Sequence, residues 1–103
     1  MQFAHYCIVR ADVPHGVQAA QLIHAAGESS TGNLPRGTYA IALAANDEKH
    51  LWNISQLLIT EGIMHKLILE PDAPWNGALM AIGIVPGPRK RLKKILSTLK
   101  TLR

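Results

Sequence analysis

The sequence has one cysteine, few aromatic residues and no long apolar run. Because Cys7 is alone among 103 residues, it excludes an internal disulfide framework and fits a reducing compartment, so we expect a cytoplasmic protein. The apolar runs fall far short of the roughly 20 residues that cross a bilayer, so we expect no membrane association. No basic region precedes the apolar stretch of the first ten residues, which therefore reads as a strand and not as a signal peptide.

Residue patterns for metal, nucleophile and phosphate-loop chemistry are also missing. The histidines are scattered and show no ligand spacing such as H-E-x-x-H. There is no nucleophile elbow and no phosphate-cradling glycine pattern. Cys7 lies within an apolar strand and not in a loop beside a base, so a nucleophilic role is not expected. We therefore expect neither a metal nor another cofactor.

Acidic residues are absent from the C-terminal part of the chain. Residues 86–103 hold seven basic residues and no acidic one, whereas residues 1–85 hold four basic and seven acidic residues. This asymmetry indicates an anionic partner, nucleic acid before membrane, with Arg89, Arg91, Lys93 and Lys94 as the candidate contacts. The alternative is a solvated helix face with a frayed basic tail.

Length and hydrophobic pattern predict a single α/β domain over residues 1–103. Strands are predicted at 3–10, 38–45, 64–69 and 78–85, with helices at 15–28, after Asn46 or Asp47 up to Gly62, and after Pro88. The order is β-α-β-α-β-β-α. We expect three α/β/α layers around a four-stranded mixed sheet, since the strands are apolar without strict alternation.

Two sets of side chains are expected to bury together. In the last helix, five residues form one apolar stripe: Leu92, Ile95, Leu96, Leu99 and Leu102. In the sheet, the predicted core residues are Cys7, Ile8, Ile41, Leu43, Ile68, Ala81 and Ile82.

The most informative segment is residues 9–26, in which a strand, a Pro/Gly loop and an Ala-rich helix follow one another. Such a helix N-terminus is a frequent anion site in α/β proteins. Gln21 and His24 lie three residues apart and share one helix face. Asp12 orients the loop or, as we favour, caps the helix. Asp12, His15 and Gly16 are the candidate substrate-binding residues; the His15 ring is placed to meet a phosphate, or is simply exposed.

Several motifs of this chain resemble the type II peptidyl-tRNA hydrolases, over nearly its whole length. They are Val9-Arg10-x-Asp12, Ala20-Gln21-x-x-His24-Ala25, Leu69-Glu70-Pro71 and the Ala81-Ile82-Gly83 strand before a terminal helix. The Pro14-His15-Gly16 loop has no lysine, and the loop after Glu70 has no threonine. In these two features the chain is most similar to a divergent branch, the peptidyl-tRNA hydrolase domain-containing proteins.

The resemblance implies hydrolysis of the ester between a peptide, or an N-blocked amino acid, and tRNA. His24 and Glu70 would activate or place the water, Gln21 would hold the substrate, and N–H groups at the helix N-terminus would stabilise negative charge. The basic helix would bind tRNA phosphates, and a homodimer is plausible. Two alternatives remain: a binding module without catalysis, and a hydrolase of another small ester or amide. His24, Gln21 and Glu70 would then be ordinary polar residues.

Overall fold

The structure is a computed structural model that describes residues 2–103. It is a mixed α/β fold with three helices and an open six-stranded sheet. Its elements are β1 (Phe3–Arg10), α1 (His15–Ser29), β2 (Tyr39–Ala45), α2 (Glu48–Thr60), β3 (His65–Glu70), β4 (Ala78–Ile84), β5 (Gly87–Pro88), α3 (Arg89–Ile95) and β6 (Lys100–Thr101). No helix within residues 2–103 is long and apolar enough to cross a membrane.

The sheet has the strand order β3-β4-β1-β2-β6, and the short β5 pairs with the start of β1. β1 and β2 are parallel, whereas β4 runs antiparallel to both of its neighbours, β1 and β3. β1, β2 and β3 therefore all end at the same edge, at Arg10, Ala45 and Glu70. We call this the carboxyl edge. Since α1 begins five residues after the end of β1, its N-terminus lies at the carboxyl edge as well.

Alternate side chains of β1 enter two different cores, because successive residues of a strand point to opposite faces. Tyr6 and Ile8 pack in a cluster with residues of α2 and α3. Cys7 and Val9 pack in a second cluster with Ala25 of α1. Helix α1 therefore covers one face of the sheet, and α2 and α3 cover the other.

The prediction of four strands is wrong, because the C-terminal region adds two short ones. The third helix ends at Ile95, and the chain then pairs with the free edge of β2. Leu102 donates its N–H to the Ala42 carbonyl at 3.0 Å, a bond that a continued helix would not make. Leu102 consequently packs beside Leu22 and Ala26 on the face of α1, so the predicted five-residue stripe on one helix is also wrong.

Other predictions are confirmed. Helix α2 begins directly after Asp47, as expected, and the Asp47 carboxylate caps it by accepting a hydrogen bond of 2.9 Å from the His50 N–H. The sheet is mixed, as predicted: β3 and β4, joined by a short loop, are antiparallel. Of the predicted sheet core, only Ile41 is half-buried, while the other six residues are buried. Ile41 lies on β2, whose neighbour β6 is only two residues long and leaves it partly uncovered.

Candidate functional site

Arg10 and Asp12 form a bidentate ion pair at the carboxyl edge. The guanidinium donates from Nε to Oδ1 at 2.7 Å and from Nη2 to Oδ2 at 2.8 Å. The Trp75 ring lies 5.6 Å from the guanidinium carbon, and Glu48 Oε1 lies 3.9 Å from Nη1. These hydrogen bonds from Arg10 hold the pKa of Asp12 below its usual value. The ion pair therefore fixes the loop that leads into α1.

Asp12 does not cap α1, so that prediction is wrong. Pro14 occupies the N-cap position and provides no side-chain hydrogen bond, and the first turn carries no acidic residue. Asp12 is instead bound to Arg10, two residues earlier, because a bidentate charged pair is stronger than a single cap bond. The side chain that holds the loop is Gln18, whose Nε2 donates to Val13 O at 2.8 Å and to Ala11 O at 3.3 Å.

His15 and Gly16 are exposed in the first turn of α1, where the backbone N–H groups have no side-chain acceptor. Apart from the adjacent residues and the backbone of α1 itself, no heavy atom lies within 4 Å of the position that a Cβ at Gly16 would take. His15 also borders a shallow groove of about 300 Å³ together with Leu102 and Arg103 from the end of the chain. The turn is open to an anionic group, and the C-terminal arginine is its nearest cationic neighbour in this groove.

Gln21 is buried, with 6% of its surface exposed, and so is not a surface amide. It lies on the side of α1 that packs on the sheet, in line with Gln18, Ala25 and Ser29. Its carbonyl oxygen Oε1 is buried and has no hydrogen-bond partner among residues 2–103. An unmade hydrogen bond of this kind costs about 1–3 kcal/mol, and such groups in folded proteins call for a functional explanation.

His24 is exposed one turn further along α1. It lines a groove of about 220 Å³ together with Glu28 and with residues 66–69 of β3. Glu70, half-buried, follows directly at the end of β3. No hydrogen bond among residues 2–103 joins Gln21, His24 or Glu70 to one another. Of the three, His24 alone lines this groove, which we call the seam between α1 and β3; Glu70 follows the strand that borders it, and Gln21 lies buried beneath α1.

The basic residues of α3 lie on the other side of the molecule. A groove of about 790 Å³ is lined by Gln2, Pro88, Arg89, Lys90, Arg91, Lys93 and Lys94. Arg91 Nη2 donates to the Glu61 carbonyl at 2.8 Å, and the Arg89 guanidinium stacks 4.3 Å from the centre of the Tyr39 ring. Lys93 and Lys94 are exposed. Because α3 shares its sheet face with α2, these residues and His24 lie on opposite faces.

A buried polar cluster beneath α1 was not predicted from the sequence. The Ser29 hydroxyl donates to the Ala25 carbonyl at 2.6 Å and accepts from His5 Nε2 at 2.7 Å, so His5 carries a proton on Nε2. Burial lowers the pKa of His5. Burial also raises the pKa of Cys7 to about 11, against a smaller opposite effect of Ser29. Cys7 therefore stays a thiol at neutral pH, as structural cysteines do.

Comparison with known proteins adds no further assignment: no family model matches the chain, and no curated protein matches it significantly. Within residues 2–103 there is no group of three His, Cys, Asp or Glu side chains that could hold a metal ion. The seam between α1 and β3, with the carboxyl edge above it, remains the candidate site.

Proposed function

We propose that this protein is a cytoplasmic peptidyl-tRNA hydrolase that cleaves the ester between a peptide, or an N-blocked amino acid, and tRNA. One observation carries the proposal most strongly. The amide of Gln21 is buried with an unpartnered Oε1, one helical turn from His24 and its groove. An amide with free hydrogen-bonding capacity beside an imidazole suits a polar substrate better than it suits helix packing.

The reaction needs a proton acceptor for the attacking water. The imidazole of His24 takes a proton from water as the water oxygen attacks the ester carbonyl carbon, and the ribose 3′ oxygen then leaves with a proton. Gln21 is one turn away, and its buried amide would have to turn toward the groove to hydrogen-bond the substrate beside the reacting ester. Glu70, at the end of the strand that lines the groove, positions the water. No metal ion or covalent intermediate is needed in this sequence of steps.

The N-terminus of α1 takes a different part in this proposal from the one expected from the sequence. Nine residues separate His15 from His24, which corresponds to about 13 Å along a helix. The first-turn N–H groups are therefore too far away to stabilise the oxyanion at an ester attacked beside His24. An uncapped helix N-terminus binds phosphate well, so we assign these N–H groups to a phosphate of the tRNA.

The two faces of the sheet must both contact the tRNA if the basic helix contributes. Basic residues that follow α3 connect the two faces of the sheet, because Lys100 and Arg103 line a groove with Ala11 and Ala44 at the carboxyl edge. Arg103 also lines the groove beside His15. Basic side chains thus continue from α3 round the β6 edge to α1. Phosphate contacts of this kind depend little on nucleotide sequence.

The deciding experiment is incubation of the purified protein with peptidyl-tRNA, in parallel with a simple acyl ester, while binding of deacylated tRNA is measured separately. We expect release of peptide and intact tRNA, with little turnover of the simple ester. Binding of tRNA without turnover would replace the proposal with a binding module. Turnover of the simple ester alone would assign a hydrolase of small esters in which tRNA has no part.

A further inference from the structure

The proposed hydrolysis creates a negative charge near His24 that needs a stabilising group. When water attacks the ester carbonyl carbon, the π electrons move onto the carbonyl oxygen, which becomes an oxyanion, and a proton of the water passes to His24. Stabilisation of such a charge is usually the largest single contribution to catalysis. The N–H groups at the start of α1 are about 13 Å from His24 and too far away. The stabilising group must therefore lie in the seam itself.

Lys66 is the one lysine or arginine among the described residues that line the seam. It pairs with Gly83, which lies against the Ala25 carbonyl of α1. Ile68, two residues later on the same strand face, packs with Ala25 as well. Both observations place the Lys66 side chain on the face of the sheet that α1 covers. Since His24 directly precedes Ala25, Lys66 faces the wall of the seam that carries His24.

The ammonium group of Lys66 is free to turn toward a substrate. Lys66 is exposed, and none of the ion pairs within residues 2–103 includes it. A lysine carries its charge on a flexible stem of four carbons, so the charge can follow a group held in the groove. The acidic residue of the seam, Glu28, lies four residues after His24 on α1. The two walls of the seam thus carry opposite charges, with the carboxylate beside His24 and the ammonium group facing it.

Lys66 is separate from the basic residues that we assign to tRNA phosphates. Those residues line the groove of α3 and the grooves at the carboxyl edge, and Lys66 lines none of these. Phosphate binding along a nucleic acid uses several cations, whereas the seam offers one. The seam holds about 220 Å³, less than the roughly 300–1,000 Å³ of pockets that enclose whole small ligands. It therefore takes only the part of the substrate around the ester.

We propose that Lys66 is a catalytic residue of this site, whose ammonium group donates a hydrogen bond to the ester carbonyl oxygen and stabilises the oxyanion. This role rests on the proposed hydrolysis and supplies the group that it lacks. As the tetrahedral intermediate collapses, the electron pair re-forms the carbonyl, the bond to the ribose 3′ oxygen breaks, and that oxygen takes the proton from His24. The ammonium group keeps its proton throughout. The products are the peptide carboxyl group and a free 3′ hydroxyl.

The first test compares kcat and KM on peptidyl-tRNA and on a short substrate, the N-acetyl-aminoacyl ester of the adenosine 3′ hydroxyl. Lys66→Met keeps an unbranched side chain of similar length and removes its charge. It should lower kcat about 10²-fold, as loss of one oxyanion donor does. KM should be nearly unchanged, because the oxyanion exists only after attack. Lys66→Arg should recover most of kcat, and Lys49→Met, which removes an exposed ammonium group from α2, should match the wild type.

The second test measures binding and needs no turnover. It uses two analogues of the short substrate: a phosphonate, which carries a negative charge where the oxyanion forms, and the 3′-amide, whose carbonyl is neutral. Lys66→Met should weaken binding of the phosphonate about tenfold or more, because it removes a charge-assisted hydrogen bond. Binding of the amide should not change. Thermal melting establishes that each variant is folded.

The outcomes separate this role from the proposed function. If the wild type hydrolyses these esters and Lys66→Met does so at the same rate, another donor stabilises the oxyanion, such as a backbone N–H of the edge strand β3, and the role of Lys66 is overturned. A higher KM with unchanged kcat, or equal weakening of both analogues, would assign Lys66 to substrate binding and overturn the role as well. A wild type that hydrolyses neither ester would overturn the proposed function, and the role of Lys66 with it.

Discussion

Gly83 of β4 lies directly against the carbonyl oxygen of Ala25 in α1. A Cβ at position 83 would stand 2.5 Å from Ser29 Oγ and still closer to the Ala25 oxygen. The missing side chain lets α1 sit low on the sheet, where it buries Gln18 and Gln21. The depth of α1 therefore sets the position of the whole candidate seam, and it can be tested by substitution.

Gly83→Ala should lower the free energy of unfolding by about 1–3 kcal/mol, because an added methyl must displace the backbone of α1. Gly27 is the matched control, since it lies within α1 itself and has open space at its Cβ position. Gly27→Ala should raise the free energy of unfolding by about 0.5–1 kcal/mol through helix propensity. Urea denaturation measures both. If both alanine variants changed the free energy of unfolding by the same amount and in the same direction, α1 would not pack against Gly83 as described.

The sequence predicted those elements that are determined by nearby residues. The Asp47 cap, the Gly62 stop and the apolar spacing of α2 are local signals, and the structure agrees with them. The strands β5 and β6 are two residues long and exist only because distant strands offer free edges, so no local pattern could show them. A helix that ended before Leu96 could not be foreseen from leucine spacing alone.

The sequence indicated candidate residues for the site, but it did not indicate how they are arranged in space. An aspartate in this position can either pair with the nearby Arg10 or cap the following helix. The sequence alone does not show which of the two Asp12 does, and the structure shows the pair with Arg10. The burial of Gln18 and Gln21 was not predicted, because helical spacing cannot reveal how deeply a helix packs against a sheet. The separation of α3 from His24 follows from which sheet face each helix covers, and that depends on the crossovers of the whole fold.

Removal of the Asp47 cap should weaken α2. Asp47→Ala leaves the His50 N–H without its side-chain acceptor, which should lower the free energy of unfolding by about 1 kcal/mol. Asp72→Ala is the control, since this exposed aspartate precedes no helix of the fold. Chemical denaturation of the two variants should therefore differ. Equal effects would mean that the loss of any surface carboxylate, and not of the cap, is responsible.

His5 should make the fold sensitive to mild acid. Its folded pKa is lowered by burial from 6.5, so the unfolded chain binds a proton first as the pH falls. The contribution of neutral His5 to stability is complete above the unfolded pKa and is lost as pH falls toward the folded pKa. His5→Gln, which keeps an N–H donor for Ser29, should flatten this loss. Melting temperatures between about pH 8 and 5 test it, above the range where carboxylates titrate.

His24 and Glu70 should both matter for turnover if the proposed hydrolysis is correct. His24→Ala and Glu70→Gln should each slow the hydrolysis of peptidyl-tRNA by about 10²-fold or more, because each removes a group that handles or positions the attacking water. Neither residue is in the core, so thermal melting should be nearly unchanged. Ile23→Ala, at an exposed neighbour on α1 that faces away from the seam, should keep the wild-type rate. Wild-type rates for both active-site variants would rule out this mechanism.

The basic helix tests whether tRNA contacts the sheet face opposite His24. Lys93→Ala, Lys94→Ala should weaken tRNA binding and flatten its salt dependence by roughly one unit of slope for each tRNA phosphate that the protein no longer neutralises. Arg36→Ala, Lys49→Ala removes the same charge from other exposed positions and should leave the slope unchanged.

A short substrate that keeps the peptide ester of the 3′ ribose but lacks the tRNA body separates binding from chemistry. The Lys93 and Lys94 variant should hydrolyse it at the wild-type rate, because these residues lie on the face away from the seam between α1 and β3. If tRNA affinity and salt slope were also unchanged, Lys93 and Lys94 would be a solvated helix surface. The phosphate path would then be confined to Lys100, Arg103 and the N-terminus of α1, all of which lie around the carboxyl edge.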